Sequence, residues 1–192
     1  LAAVGQCELM AIYDRFFTDY GYNVGQILLN RQVIDIPALK ENENVTVCLE
    51  NLFTSSGGYN EGHCSDPHQA AKYIDFLNEQ AGAERFGLCL DTGHLNLLRK
   101  DFRVYCPILG KRIKALHIHD NSQIGDDHLM PYAGTIDWDN FVASLKAIGY
   151  DGDLSFETFR QIRVLKGNTA LIDPFLKLIC EIGENFRSGI IG

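Results

Sequence analysis

The stretch Phe86-Gly87-Leu88-Cys89-Leu90-Asp91-Thr92-Gly93-His94 decides the fold class of this chain. It is a short apolar run that ends in an acid, a turn glycine and a histidine, and a run of this length predicts a strand buried on both faces. Asp91 and His94 follow where the strand gives way to a loop, which is where parallel α/β folds carry their chemistry. The stretch therefore predicts a parallel α/β fold with a functional site at this strand end.

Three further segments repeat the design, namely Val45–Glu50, Ile113–His117 and Asp153–Glu157. Each ends at or near a residue type that binds metals, and the spacing between them leaves room for one helical crossover each. Counting Val24–Leu29 as well, we predict about five parallel strands in a TIM-barrel-type α/β fold, which is a partial barrel because a complete one has eight.

Helical spacing, turn residues and caps predict the remaining elements. Pro67 suits the first turn of a helix, and Asp137 suits the N-cap position of another. The loop 51–66 is long enough to lie over a site. Helices are predicted at residues 1–20, 67–82, 137–148 and 174–185, a helical or irregular stretch at 95–111, a polar linker at 35–44 and a long loop at 120–137.

The composition limits the function classes. The chain has 192 residues, 46% of them hydrophobic, and a net charge of −8. A chain this acidic is not expected to bind nucleic acid. It has no apolar run that could span a bilayer, so no membrane association is expected. Six scattered cysteines without a CxxC pair indicate reduced thiols and a cytoplasmic location.

The opening of the chain differs in character from the rest. It starts at Leu1 without an initiator methionine, so we expect a processed product, a fragment or a fusion. Residues 1–32 resemble a helix-plus-strand segment of glutamate 5-kinase, in the amino acid kinase family, without that family's phosphate-binding glycine loops. We therefore expect residues 1–35 to supply a helix and a strand for packing, and no kinase activity.

The strand ends carry three carboxylates and one imidazole, on Glu50, Asp91, His117 and Glu157. Carboxylates this close would repel one another unless a cation held them. Oxygen ligands with one nitrogen suit Mn²⁺, Co²⁺, Mg²⁺ or Zn²⁺. Such an ion can polarise a carbonyl or hydroxyl and stabilise an enediolate, while a carboxylate moves a proton at the adjacent carbon.

Five motifs carry a family resemblance, in the order VCLENL, GLCLDTGH, IKALHIHDN, DDHLMPYAGTIDW and LSFET. They resemble the C-terminal half of the xylose isomerase-like TIM barrel superfamily, from about residue 44 to 180, so residues 36–192 are expected to form that half. The superfamily includes sugar phosphate isomerases/epimerases, ketose 3-epimerases and type IV AP endonucleases. The resemblance implies a sugar or sugar phosphate isomerase or epimerase that acts by proton transfer through a metal-bound enediolate.

The resemblance also implies residue roles. In ketose 3-epimerases the positions matching Glu50, Asp91, His117 and Glu157 bind one divalent metal. The two glutamates also form the acid–base pair on opposite faces of the sugar, and the histidine matching His94 contacts the substrate.

Four residues are predicted to bind substrate, and each has an alternative interpretation. Arg160 can meet a substrate phosphate or form a surface ion pair. Asp126 and His128 are substrate or second-metal residues, or solvated loop residues. His94 can contact substrate or metal, or cap the following helix.

Two other functions stay open. In the first, the chain is expected to be a truncated or chimeric partial barrel without activity. Because a half barrel exposes sheet edges, the barrel half can also close by forming a homo-oligomer. In AP endonucleases the positions matching His94, Asp126 and His128 complete a three-zinc cluster that also needs two histidines from the N-terminal half. Residues 1–43 contain no histidine.

The remaining ring residues are expected to be structural. His119 alternates with His117 along one strand, so we predict that it points to the opposite face and packs or lies at the surface. His63 and His68 are predicted at the surface, and Trp138 is predicted to anchor a helix start.

Overall fold

Every residue of the strand Phe86–Asp91 is buried, as the apolar run predicts. The structure is a computed structural model, and it describes residues 45–55, 58–166 and 168–192. The segment resembling glutamate 5-kinase, the predicted helix 1–20, the strand Val24–Leu29 and the linker 35–44 lie outside these residues. In chain order the strands are β1 Val47–Glu50, β2 Phe53–Thr54, β3 Asn60–Glu61, β4 Phe86–Asp91 and β5 Ile113–His117.

Helices separate the long strands. Their bounds are α1 Pro67–Ala81, α2 Thr92–Leu97, α3 Phe102–Leu109, α4 Trp138–Ile148, α5 Phe159–Val164 and α6 Thr169–Ile191. Pro67 stands in the first turn of α1, and Asp137 caps α4 by accepting a hydrogen bond from the main-chain N–H of Asn140 at 3.0 Å. Both sequence predictions are confirmed. α6 starts five residues before the predicted Pro174 and accommodates that proline within the helix.

The central sheet has the order β1-β4-β5, and both neighbouring pairs are parallel. α1 packs against β4 and α3, α3 against α4, and α4 against α6, so the helices cover the outside of the sheet. Parallel neighbours joined through helices are the repeating unit of a TIM barrel. The prediction of a partial α/β barrel with parallel strands is confirmed.

The segment predicted as a strand at Asp153–Glu157 is not a strand. Only Phe156 bridges to the sheet, opposite Ile118 just beyond β5. Two hydrogen bonds hold it, Ile118 N–H to Ser155 O at 2.7 Å and Glu157 N–H to Ile118 O at 2.9 Å. Among the described residues the pairing stops at this one bridge, so the segment lacks the consecutive pairs that make up a strand.

The loop that follows β1 folds into a small antiparallel hairpin of β2 and β3. Trp138 is buried at the start of α4 and packs on Phe186 and Phe141 with ring centroids 5.2 and 5.4 Å away. This confirms its predicted role as an anchor. No helix in the described part of the chain has the length and apolar character needed to cross a membrane.

Candidate functional site

The register of the parallel sheet places three candidate ligands at one edge. Asp91 lies directly opposite His117 on β5, and Glu50 ends β1 opposite Cys89 on β4. Because parallel strands point their carboxyl ends in one direction, these side chains emerge at a single rim. The bridge between Ile118 and Phe156 then places Glu157 at the same rim.

The imidazole of His117 is the meeting point of the four residues. Its Nδ1 lies 3.2 Å from Glu50 Oε1, 3.7 Å from Glu157 Oε1 and 3.9 Å from Asp91 Oδ2. Donor atoms of Glu50, Asp91 and His117 lie within 4.8 Å of one another. The structure therefore brings together all four residues that the sequence singles out as ligands, and their role as ligands stays a prediction.

Asp91 is held in place by both its main chain and its side chain. The Asn51 amide donates to Asp91 O at 3.0 Å, and Asp91 N–H donates to Asn51 Oδ1 at 2.7 Å. Asp91 Oδ1 accepts from the His94 main-chain N–H at 2.8 Å and so caps α2. Burial opposes a charge on Asp91, but His119 and His94 beside it lower its pKa to about 2. Asp91 is therefore an ionised and fully buried carboxylate.

A second cluster adjoins the first. Asp126 Oδ2 lies 3.6 Å from His94 Nε2 and 3.2 Å from His128 Nε2, while His128 Nδ1 lies 3.7 Å from Glu157 Oε2. His94 Nδ1 is 2.8 Å from Asn51 O. The capping residue of α2 is thus Asp91, and His94 turns its ring toward the carboxylates instead. His94, Asp126 and His128 join the site, and their contact with substrate stays a prediction.

The orientation predicted for His119 is wrong. Its ring is buried, and Nε2 lies 3.0 Å from Asp91 Oδ1, inside the same site as His117. β5 ends at His117, so the alternation of a regular strand no longer applies two residues later. The ring stacks on His128 with centroids 4.0 Å apart, and Gly93 leaves room for it, because a Cβ there would lie 2.0 Å from His119 Cε1.

The electrostatics of the site favour positive charge. Burial opposes a charge on His117, but the Cys89 thiol and the Glu50 carboxylate raise its pKa to about 12. Burial likewise opposes a charge on His94, but Asp91 and Asp126 raise its pKa to about 9. Burial raises the pKa of Glu157, and the positive His117 partly offsets this. The carboxylates of the site therefore stabilise positive charge beside them, held either by protons on these imidazoles or by a bound cation that displaces those protons.

A divalent cation fits the donor set. Carboxylate oxygens with one or two imidazole nitrogens are ligands of Mn²⁺, Co²⁺, Mg²⁺ and Zn²⁺. Two buried polar atoms of the site, Asp126 Oδ1 and His119 Nδ1, have no hydrogen-bond partner within residues 45–55, 58–166 and 168–192. Buried polar atoms are rarely left unpaired without a ligand, ion or water in the complete site.

The β2–β3 hairpin lies over one side of the site, as predicted for the loop after β1. The Phe53 ring packs edge-on against the His94 ring, with centroids 5.0 Å apart, and against Tyr59 at 5.1 Å. The Tyr59 hydroxyl donates to Ile124 O at 2.9 Å, which ties the hairpin to the loop after β5. Lys100 Nζ contacts Glu61 Oε1 at 2.6 Å and holds the hairpin to the segment after α2.

The outer residues are placed as follows. Arg160 forms an ion pair with Asp127 at the exposed rim, so its contact with a substrate phosphate stays a prediction. His63 and His68 are exposed, which confirms the surface prediction. Sequence reasoning missed Asn51 and Phe53, because an amide and a phenyl ring beside a strand end carry no ligand signal of their own.

Comparison with known proteins places the chain in a family. Residues 35–175 match the family model described as the xylose isomerase-like TIM barrel. The chain belongs to this family. A solved structure of a D-tagatose 3-epimerase-like protein superposes with a TM-score of 0.54 at 24% identity, over 78% of this chain and 52% of that chain, and supports the fold.

Three curated relatives are each similar to a part of the chain. An uncharacterised protein, y4fM, of Sinorhizobium fredii is 33% identical over 132 residues, 62% of this chain and 42% of its own length. A ketose 3-epimerase of Arthrobacter globiformis is 37% identical over 119 residues, 61% of this chain and 35% of its own. A glutamate 5-kinase of Listeria monocytogenes is 57% identical over 52 residues, 27% of this chain and 18% of its own.

The predicted resemblances to the xylose isomerase-like barrel and to glutamate 5-kinase are thus both confirmed. The chain spans less than half the length of each of the three relatives.

Proposed function

We propose that this chain carries a divalent-cation site that isomerises or epimerises a small sugar or sugar phosphate. Membership of the xylose isomerase-like family and the similarity to a ketose 3-epimerase support the reaction class. The observation that carries the proposal is the placement of His117 Nδ1 within 3.9 Å of three carboxylates. That cluster is built from separate segments and meets at one rim, where barrels of this kind carry their reactions.

The four residues around His117 would hold the cation. A bound divalent cation would polarise the carbonyl oxygen and the neighbouring hydroxyl oxygen of a sugar. It would thereby acidify the C–H hydrogen on the hydroxyl-bearing carbon next to the carbonyl. Glu157, whose pKa burial raises, is suited to exchange a proton at that carbon. Glu50 contacts the same His117 Nδ1 as Glu157 and is proposed as the acid–base partner of Glu157. His94, Asp126 and His128 would bind the hydroxyl groups of the sugar.

Solvent exchange tests the reaction directly. The purified chain, loaded with Mn²⁺ or Co²⁺, is incubated in D₂O with a panel of ketoses and ketose phosphates, and deuterium at carbon is read by NMR. We expect deuterium at the carbon next to the carbonyl of one sugar class. Glu157→Gln should lower the exchange rate by at least about 100-fold, since it removes the proton-transfer group.

Glu181→Gln is the matched control, because Glu181 is an exposed glutamate on α6 outside the site and should exchange like the wild type. Cation binding without exchange in any sugar would instead favour the hypothesis of a partial barrel without activity. No cation binding and no exchange would contradict the proposed site itself.

A zinc phosphodiesterase of the AP endonuclease type is the second candidate. It is favoured by one observation, namely that Asp126 Oδ2 contacts both histidines. The oxygen lies 3.6 Å from His94 Nε2 and 3.2 Å from His128 Nε2. The net charge of −8 opposes binding of a polyanion. Cleavage of an abasic-site duplex by the Zn²⁺-loaded chain, lost in Asp126→Asn, would support this candidate, and an uncut duplex would remove it.

A further inference from the structure

Asp120 is a buried carboxylate that lies beside the site and touches none of the four candidate ligands. It stands three residues beyond the end of β5, and its side chain is surrounded by N–H donors of the following loop. Oδ1 accepts from the main-chain N–H groups of three residues and Oδ2 accepts from two donors. The donors are Asn121 N at 2.8 Å, Thr135 N at 3.0 Å, Ile136 N at 3.1 Å, Gly134 N at 3.1 Å and Trp138 Nε1 at 3.1 Å.

The main chain of Asp120 pairs with the middle of the same loop. Asp120 N–H donates to Leu129 O at 2.8 Å, and Leu129 N–H donates back to Asp120 O at 2.9 Å. Leu129 directly follows His128. One residue therefore fastens the loop at two places, next to His128 through its main chain and at 134–136 through its carboxylate.

The loop fits closely around this carboxylate. A Cβ on Gly134 would lie 2.3 Å from Asp120 Oδ1 and 2.4 Å from Asn121 O, so only glycine is accommodated there. Asn96 adds a second tie, because its amide donates to Asn121 Oδ1 and Thr135 Oγ1 at 2.9 Å each. These hydrogen bonds tie the 121–136 segment to the residues that follow β5 and to Asn96 on α2.

We propose that Asp120 is a positioning residue that sets His128 and Asp126 against the candidate centre and so determines how tightly the sugar is bound. This inference rests on the proposed function for its link to the sugar. Asp120 touches neither the cation ligands nor the space between them, so the cation should be held without it. The loop that Asp120 fastens carries Asp126 and His128, and His128 Nδ1 lies 3.7 Å from Oε2 of the candidate ligand Glu157.

A carboxylate is the group this position requires. Its two oxygens accept five N–H donors, and an amide of the same size would turn its own N–H₂ toward donors. In Asp120→Asn, at least one N–H of the loop would therefore face the N–H₂ group of the new asparagine and lose its acceptor. The volume of the side chain would stay nearly the same. Trp138→Phe is a milder change at the same place, because it removes the indole donor and keeps a large ring.

Histidine modification reports the position of the loop without any activity. Diethyl pyrocarbonate is reacted with the intact chain, and the rate at each histidine is read by fragmentation mass spectrometry. His128 is mostly buried by its neighbours, while the exposed His63 and His68 act as internal references. We expect the ratio of the His128 rate to the reference rates to rise about tenfold or more in Asp120→Asn and about threefold or more in Trp138→Phe.

Asp101→Asn is the matched control. Asp101 is also a carboxylate bonded to main-chain N–H, but it lies at the start of α3, away from the site. Its variant should change the His128 ratio by less than about twofold. An unchanged ratio in both Asp120→Asn and Trp138→Phe, or an equal rise in Asp101→Asn, would overturn the positioning role.

The exchange assay then tests the link to the sugar. In Asp120→Asn we expect KM to rise about tenfold with cation content retained and kcat changed by less than about threefold. In a background that carries both Asp126→Ala and His128→Ala, the same change should alter kcat/KM by less than about twofold, because its effect passes through those two residues. Equal losses in both backgrounds would overturn the link. If the wild type exchanges no sugar, the proposed function fails and the modification rates still decide the position of the loop.

Discussion

His117 and Glu50 lie 67 positions apart in the chain, and their side chains meet at 3.2 Å between Nδ1 and Oε1. Neither strand end alone carries a site, because each contributes one donor and the sheet order brings the donors together. The half-buried imidazole of His117 faces three carboxylates, so its removal takes away the one group that all three contact.

We expect His117→Ala to abolish cation binding by the folded chain. Elemental analysis of dialysed protein should give about one equivalent of divalent cation per wild-type chain and less than about one fifth of that in the variant, since a lost ligand commonly lowers affinity by orders of magnitude. His63→Ala, at an exposed histidine, should bind like the wild type. Equal cation content in His117→Ala and wild type would remove His117 from the ligand set.

Asp101 should contribute stability that depends on pH. The Arg103 guanidinium, followed by the Asn140 amide, holds the pKa of Asp101 well below its usual range. A carboxyl with a lowered folded pKa stabilises the fold above its unfolded pKa, near 4, and loses that contribution as pH falls through 4 toward the folded value. Because Asp101 is 39% exposed, this charge-dependent part should be only a few tenths of a kcal/mol.

Two variants separate the cap from the charge at Asp101. Asp101→Ala should lower the free energy of unfolding by about 1 kcal/mol at pH 7, since it removes the acceptor for the Arg103 N–H. Asp101→Asn should keep most of the cap and lose the pH dependence. Urea unfolding at pH 7, 5 and 3.5 measures both, and a wild-type dependence equal to that of Asp101→Asn would contradict the lowered pKa.

The cysteines should differ widely in reactivity. Cys180 is exposed on α6, whereas Cys106 is fully buried and burial raises its pKa to about 12. Because the thiolate is the reactive form, iodoacetamide should label Cys180 at least about 100 times faster than Cys106 in the native chain. Peptide mass spectrometry measures each rate. In 6 M guanidinium chloride the two rates should agree within about twofold, and a native ratio near one would show that α3 is not packed as described.

Gly93→Ala should disturb the pairing of Asp91 with His119. The added Cβ would lie 2.0 Å from His119 Cε1, and His119 is buried and bonded to Asp91. We expect the free energy of unfolding to fall by about 2 kcal/mol, the usual cost of overpacking a tight contact. Gly125→Ala is the control, because the nearest atom to its Cβ is 3.6 Å away. Equal unfolding midpoints for both variants would contradict the close approach at Gly93.

Much of the architecture follows from local sequence signals. The apolar run 86–91 identifies the central strand, and Pro67 and Asp137 mark helix starts, because these signals act within a few residues. The placement of Glu50, Asp91, His117 and Glu157 at one rim follows from the shared direction of parallel strands.

Other parts depend on contacts that the local pattern does not carry. Asp153–Glu157 reads as a strand, yet only Phe156 finds a bridge partner among the described residues. The side chain of His119 does not follow the alternating directions of a regular strand, because β5 ends two residues earlier and Gly93 leaves space for the His119 ring. The role of Asp120 depends on donors 14 to 18 positions away, which no local spacing indicates.

The parallel order β1-β4-β5 has a consequence for how the chain reaches its native state. Each neighbouring pair closes only after a helical crossover has docked, so the contacts are distant along the chain and refolding is expected to be slow for a chain of this length. Glu50 meets His117 only once both crossovers have docked. In a stopped-flow refolding experiment, cation capture would then be the last signal to appear, after helix formation and burial of the single tryptophan.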